Sequence, residues 1–289
     1  VHFDRRFSSP ADIGYKALAV NLSDLAAMGA QPAWFTLCLT LPAVSEHWLT
    51  DFCRGLEALM REIPVTLIGG DTTRGPLSIT IQAMGLVESG CALRRDGAQA
   101  GDDIYVSGCI GEAGAGLRLV QHAARHDSAG EVVAAIAALN HNELNPVESN
   151  QIVPEHGALN TGELQAKATT SQDRLQAAIL RLNRPQPRNV FGPLLVNVAS
   201  ACIDVSDGLL ADLGHILDAS HVGAALDLNA VPLAPVLLDP SCLAWLDLPD
   251  TSPAGVQRFA LSAGDDYELC FTASPSTREQ ISALAQQVG

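Results

Sequence analysis

Aromatic residues make up 4% of the 289-residue chain, so closely packed helices on sheets are expected rather than an aromatic-lined cavity. Basic residues are also scarce: Lys and Arg number 17 against 32 Asp and Glu, a formal net charge of −15. That balance argues against nucleic acid or an anionic membrane as the main partner, because neither phosphate surface would be neutralised. An acidic chain still takes phosphates through bridging Mg2+. No run of 18 apolar residues and no basic-then-apolar leader occurs, so nothing supports a membrane span or secretion. The seven cysteines, Cys38, Cys53, Cys91, Cys109, Cys202, Cys242 and Cys270, form no Cys-x-x-Cys pair. Their odd number and scatter disfavour zinc and a disulfide framework and point to reducing, cytoplasmic surroundings. Two nucleotide fingerprints are missing as well. The glycine-rich stretch Gly108 to Gly116 has no Gly-Lys-Ser/Thr, and Gly111, Gly114 and Gly116 lack dinucleotide spacing, so tight helix packing is the expected role. A starting methionine is absent from Val1-His2-Phe3, and Gly289 follows a helical pattern, which suggests a chain truncated at both ends.

What the chain does have is length enough for two domains, with 47% apolar residues to fill their cores. Residues 1–88 read as a β-α-β-α-β-β series. Ser9-Pro10-Ala11-Asp12 is a helix start with cap, N1 proline and reciprocal acid, and the helix runs to Met28 before Gly29. Its apolar stripe is Tyr15, Leu18, Leu22 and Leu25, while Ala17, Asn21, Asp24 and Met28 form a neighbouring line. Asp24 therefore caps something, faces water or meets a cation. A half-buried strand from Phe35 to Leu41 precedes a helix from about Ser45 to Pro64. Then comes Leu67-Ile-Gly-Gly-Asp-Thr-Thr73, read as a strand that stops at two glycines and presents Asp71 on a tight loop before a second strand from Leu77. Such a loop is either an ordinary turn or a place where oxygens meet a hard cation.

Residues 89–289 form the second unit. A polar connector carries Arg94 and Arg95, of which either clamps phosphate or is simply solvated. The stretch from about Asp127 to Ser171 reads as an inserted surface loop with a short helix at Glu131 to Leu139, and His141 and His156 have no partner at metal-ligand spacing. Helices are expected from Gln172 to Leu182 and from Val190 to Ala199. Ala201 to Gly208 is a short strand opening into a helix, with Asp204, Ser206 and Asp207 supplying more oxygens than an N-cap needs. A metal with nucleotide phosphate accounts for the surplus. Gly264-Asp265-Asp266-Tyr267-Glu268 is a third acidic site, whose adjacent carboxylates repel unless hydrated or bridged.

Four segments occur in one order: Asn21-Leu-Ser-Asp-Leu-Ala-Ala-Met-Gly29, Ile68-Gly-Gly-Asp-Thr-Thr73, Asp204-Val-Ser-Asp-Gly208 and Gly264-Asp-Asp-Tyr-Glu-Leu269. Together they resemble the thiamine-monophosphate kinases of the aminoimidazole-ribonucleotide-synthetase-like superfamily. The resemblance covers nearly the whole chain outside residues 127–171. It implies an α/β (α+β) fold of two domains, the first sheet pairing across a homodimer, and transfer of the γ-phosphoryl group of ATP to thiamine monophosphate. It implies Mg2+ on Asp24, Asp71, Asp204 and Asp207, with Asp207 also catalytic. Nucleotide contacts fall on Gly70, Asp71, Arg95 and Ser206, and substrate contacts on His2 and Asp265, the latter standing where the family usually has Glu. An upstream Gly-Asp-Asp loop, a Ser-Thr-Asp strand and a C-terminal aromatic segment of the family are not in this sequence. Another ATP-dependent synthetase of the superfamily, or a non-catalytic nucleotide-binding remnant, are the alternatives.

Overall fold

The computed structural model describes residues 3–125 and 170–288. His2, His141, His156 and the helix expected at Glu131 to Leu139 lie outside them. The residues before Pro10 that are described form turns and no strand, so the series opens with helix α1, Pro10–Ala27. Its start is the reciprocal box read from the sequence: the Asp12 N–H donates to Ser9 Oγ at 3.1 Å and the Ser9 N–H to the Asp12 carboxylate at 3.4 Å. Strand β1, Gln31–Leu41, follows, then α2, Glu46–Glu62, capped by Ser45, then β2, Thr66–Arg74, and β3, Ser78–Leu86.

The three strands form one sheet in the order β2-β1-β3, with β1 parallel to β2 and antiparallel to β3. Alternation decides its faces. Phe35, Leu39 and Leu41 are buried against Leu18, Leu22, Phe52 and Leu59 of the two helices, while Trp34 and Cys38 point to the open side. The helices come close because two glycines let them: a Cβ on Gly14 would stand 2.1 Å from the Phe52 carbonyl oxygen, and one on Gly55 1.8 Å from that of Ala11.

Here the expected tight loop at Asp71 is corrected. Gly69, Gly70 and Asp71 lie inside β2, with Gly70 beside Leu37 and Asp71 beside Cys38, and the turn comes later at Gly75-Pro76. Pairing to β1 supplies the hydrogen-bond partners that a local turn would otherwise have to provide. Gly70, at φ +153, lets the strands meet, since a Cβ there would fall 1.8 Å from the Leu37 carbonyl oxygen.

A second sheet holds β4, Asp103–Val106, β5, Ala201–Asp204, and β6, Leu269–Ala273, antiparallel in the order β4-β6-β5. Central β6 is buried along its whole length. Around it pack α3, Glu112–Arg125, α4, Ser171–Asn183, α5, Leu209–Ser220, the short α6, Pro240–Leu243, α7, Pro253–Ser262, and α8, Arg278–Val288. The glycines of the 108–116 loop serve packing: Gly116 lies against the Ala178 backbone, where a Cβ would be 2.1 Å from the carbonyl oxygen. The helix expected from Val190 to Ala199 is only a 3-10 turn, Gly192–Leu195. Gly192 is pressed onto the Ala26 carbonyl, and Pro193 has no N–H to continue a helix.

Helix α1 joins the two sheets. Its Leu22 carbonyl accepts from Asn189 Nδ2 at 2.8 Å, its Asp12 carboxylate from Arg184 at 2.8 Å, and its Ser23 hydroxyl donates to Asp204 at the end of β5 at 2.8 Å.

Candidate active site

Where α1 meets both sheets a cleft of about 840 Å3 opens. One wall is the face of α1 carrying Lys16, Val20 and Asp24, spaced by one helical turn each. The start of β3 forms a second wall. The third is made by the two acidic loops, which contribute Asp204, Ser206 and Asp207 from one and Asp265 and Tyr267 from the other.

These two loops are tied together by their backbones. The Asp265 N–H donates to the Ser206 carbonyl at 2.9 Å and the Tyr267 N–H to that of Val205 at 2.8 Å. Gly264 permits the contact, since a Cβ on it would be 2.4 Å from the Ser206 carbonyl oxygen. Asp212, buried in the first turn of α5, accepts the N–H groups of Ser206 and Asp207, each at 2.9 Å. It therefore does the work of an N-cap for this turn. The cap position itself is Gly208, without a side-chain bond, so the Ser206 and Asp207 side chains are not consumed as caps.

Burial, aided by the charge of Asp24, pushes the Asp204 carboxyl up to about 6, although the Ser23 hydroxyl pulls the other way. Asp24 is also pushed up by burial and drawn down by Arg95, whose guanidinium lies close enough to act on it. Arg94 is occupied with Asp96, at 2.6 and 2.9 Å. Of the adjacent pair, Arg95 is thus the one that acts on the cleft.

The neighbouring carboxylates of the third acidic loop avoid each other by facing opposite ways. Asp265 reaches Lys16 Nζ at 3.0 Å and the Tyr267 hydroxyl at 3.2 Å. Asp266 turns inward and accepts from the Gly111 N–H at 2.6 Å and the Ala113 N–H at 3.2 Å. Its burial still pushes it up to about 7. Glu268 is buried between Arg181, Arg188 and the Ser107 hydroxyl, which anchors the loop's exit into β6.

The cleft brings together Asp24, Asp204, Ser206, Asp207 and Asp265. It does not take in Gly70 and Asp71, which lie on β2 with β1 between them and the cleft-lining β3. Asp71 is exposed and accepts from the Thr72 N–H at 2.8 Å. Among the described residues no three His, Cys, Asp or Glu side chains converge as a ready metal cage. Instead the carboxylates line a wall. Sequence reasoning missed Lys16, Ser23, Asp212 and Tyr267. A signal existed for the first: Lys16 is the one basic residue of α1 and stands two turns from Asp24, at i, i+8.

Residues 1–87, which hold the first sheet and the helix that bridges it to the second, match the N-terminal domain family of the AIR synthase related proteins. Within that class the chain belongs to the thiamine-monophosphate kinase family. It is 41% identical over 284 residues to the thiamine-monophosphate kinase of Salmonella typhimurium, covering 97% of this chain and 70% of that one. The crystal structure of thiamine-monophosphate kinase from Stenotrophomonas maltophilia superposes with a TM-score of 0.75 at 42% identity, over 100% of this chain and 75% of that chain. AaThiL complexed with AMPPCP and TMP gives a TM-score of 0.70 at 26% identity, over 96% and 72%.

Proposed function

We propose that the protein phosphorylates thiamine monophosphate to thiamine diphosphate, taking the phosphoryl group from ATP. The observation that carries this reading is the cleft wall of Asp24, Asp204, Ser206 and Asp207, in a chain whose relatives are thiamine-monophosphate kinases. Its residues suit a cation: the charge of Asp24 helps raise the pKa of Asp204, while Arg95 draws that of Asp24 down. Asp24, Asp204 and Asp207 would hold Mg2+, which when bound supplies charge neutralisation between two repelling phosphates. Ser206, on a loop fixed by Asp212, offers a hydroxyl and Arg95 a planar donor fork to nucleotide phosphate. The acceptor phosphate is already ionised near neutral pH, so no general base is needed. This suits a site rich in aspartate, where positioning and charge do the catalysis.

Gly70 and Asp71 as nucleotide and metal contacts, and His2 and Asp265 as substrate contacts, rest on the resemblance, with Asp265 also supported by its place in the cleft. We further place a domain boundary near residue 88 and assign a homodimer built on the first sheet. No helix among the described residues is long and apolar enough to cross a membrane.

Charge-removing, shape-keeping variants test the assignment. In Asp207→Asn, Mg-dependent ATP affinity measured by calorimetry is expected to fall at least roughly tenfold. Asp71→Asn is the companion: an equal fall supports its ligand role, and unchanged affinity removes Asp71 from the site. Unchanged affinity in Asp207→Asn would sink the metal assignment. Production of thiamine diphosphate from thiamine monophosphate and Mg-ATP tests the reaction itself.

A further inference from the structure

Lys16 is 4% exposed, the one basic residue of α1, and its ammonium reaches into the cleft wall. A buried lysine is costly, and an ion pair seldom recovers more than an apolar residue of the same volume would give. Stability alone is therefore a poor reason for it. What it touches is more informative. Lys16 Nζ holds one oxygen of Asp265 at 3.0 Å while the Tyr267 hydroxyl donates to the other at 3.2 Å. Asp265 and Tyr267 both have left-handed backbones, at φ +69 and +50. Two such non-glycine residues in one tripeptide are strained and persist only where surrounding contacts hold them. Here the contacts are the hydrogen bonds to Val205 and Ser206 and the grip on the carboxylate. Ion pair, hydroxyl and strained backbone all converge on the aim of one side chain. The Asp265 side chain stays 30% exposed to the cleft while that of Lys16 is 5% exposed, so the carboxylate meets a ligand and the lysine stands behind it.

We propose that Lys16, with Tyr267, is a positioning residue that fixes the Asp265 carboxylate as an acceptor for the cationic, N–H-bearing part of thiamine monophosphate. This rests on the function proposed above. The chemistry is complementary: thiamine monophosphate carries a thiazolium cation and an aminopyrimidine at one end and a phosphate at the other. Lys16 and Asp24 lie two turns apart on α1, about 12 Å by helical rise. The same helix thus sets Asp265 for the cationic end and Asp24 for the phosphate end, and fixes the span between them.

The test compares Lys16→Met, Lys16→Arg and Tyr267→Phe with the unchanged protein, with melting temperature recorded for each. Two ligands are titrated: thiamine monophosphate, and a thiazole phosphate that lacks both the positive charge and the aminopyrimidine. In Lys16→Met the KM for thiamine monophosphate is expected to rise at least roughly tenfold while the KM for ATP stays within about twofold. The preference for thiamine monophosphate over the thiazole phosphate should shrink with it, and Lys16→Arg should recover part of both. A merely structural lysine would alter melting temperature and leave that preference intact. If folded Lys16→Met keeps the KM and the preference, the inference is wrong. If Lys16→Met does not fold, Tyr267→Phe, which loses only a hydroxyl, decides: an unchanged preference overturns the proposal, a reduced one supports it. An unchanged protein that makes no thiamine diphosphate would remove the proposed function and this inference together, whereas an active protein with indifferent variants removes only the inference.

Discussion

Asp204 illustrates how a buried carboxyl is sustained by the fold. Its carboxyl is buried at the end of β5 with one hydroxyl bond from Ser23, and its pKa stands near 6 rather than 3.8. The folded state then holds the proton more tightly than the unfolded chain. Between pH 3.8 and about 6 unfolding releases that proton, so the stability contributed by Asp204 is full below the lower value and is lost as pH rises through the upper one. Two units correspond to about 3 kcal/mol at most. In Asp204→Asn the amide oxygen still accepts from Ser23 and no charge is buried. Urea unfolding without Mg2+ should show the variant more stable by about 1–3 kcal/mol at pH 8 and unchanged at pH 3.5. Added Mg-ATP should stabilise the unchanged protein and leave the variant behind. A variant less stable at pH 8 would refute the account.

At the scale of elements, the pair α1 and α2 depends on absent side chains. Gly55→Ala would drive a Cβ to 1.8 Å from the Ala11 carbonyl oxygen, with backbone on both sides and no flexible group to yield. Overpacking of this kind costs about 1–3 kcal/mol or more, which outweighs the gain of about 1 kcal/mol in helix propensity. Chemical denaturation should therefore register a net loss, and a gain would show that the helices can part freely. The same contrast between local and distant causes explains what was legible in the sequence. The Ser9 cap, the helix start near Ser45, the Phe35 to Leu41 alternation and the Asp204 to Gly208 strand-to-helix turn depend on neighbours a few residues away. Gly69-Gly70-Asp71 has the composition of a turn and became strand because β1 lies alongside it. Pro193 lies in a segment whose fate is decided by Ala26, far away in sequence. The acidic residues of the cleft could be read from their oxygen surplus, whereas Ser23 and Asp212 gain meaning only when α1 and the two acidic loops are brought together.

For the whole molecule, the first sheet leaves one side and its β2 edge uncovered among the described residues. Every residue of β2 is exposed, among them Leu67 at 44% and Ile68 at 56%, beside Trp34 at 43% on β1. An exposed edge strand invites pairing, and a second copy of the same sheet is the partner we propose. Light scattering at micromolar concentration should give the mass of a dimer, and Ile68→Lys should shift it toward monomer with little change in helix content. A monomer for the unchanged protein would refute the assignment.

The second sheet carries another consequence, for the order in which the protein is made. Val106 on β4 pairs with Cys270 on β6, and β5 reaches β4 only through that same central strand. The partners are separated by on the order of 160 residues, which a ribosome takes roughly 10–30 s to add at typical speeds. The first sheet, whose strands all lie between Gln31 and Leu86, has no such delay. During synthesis these three strands emerge together, while Ile104 and Val106 of β4 wait for β6, their pairing partner. Nascent chains stalled before Leu269 should therefore protect the first sheet from proteolysis and leave β4 open to it, until β6 has emerged.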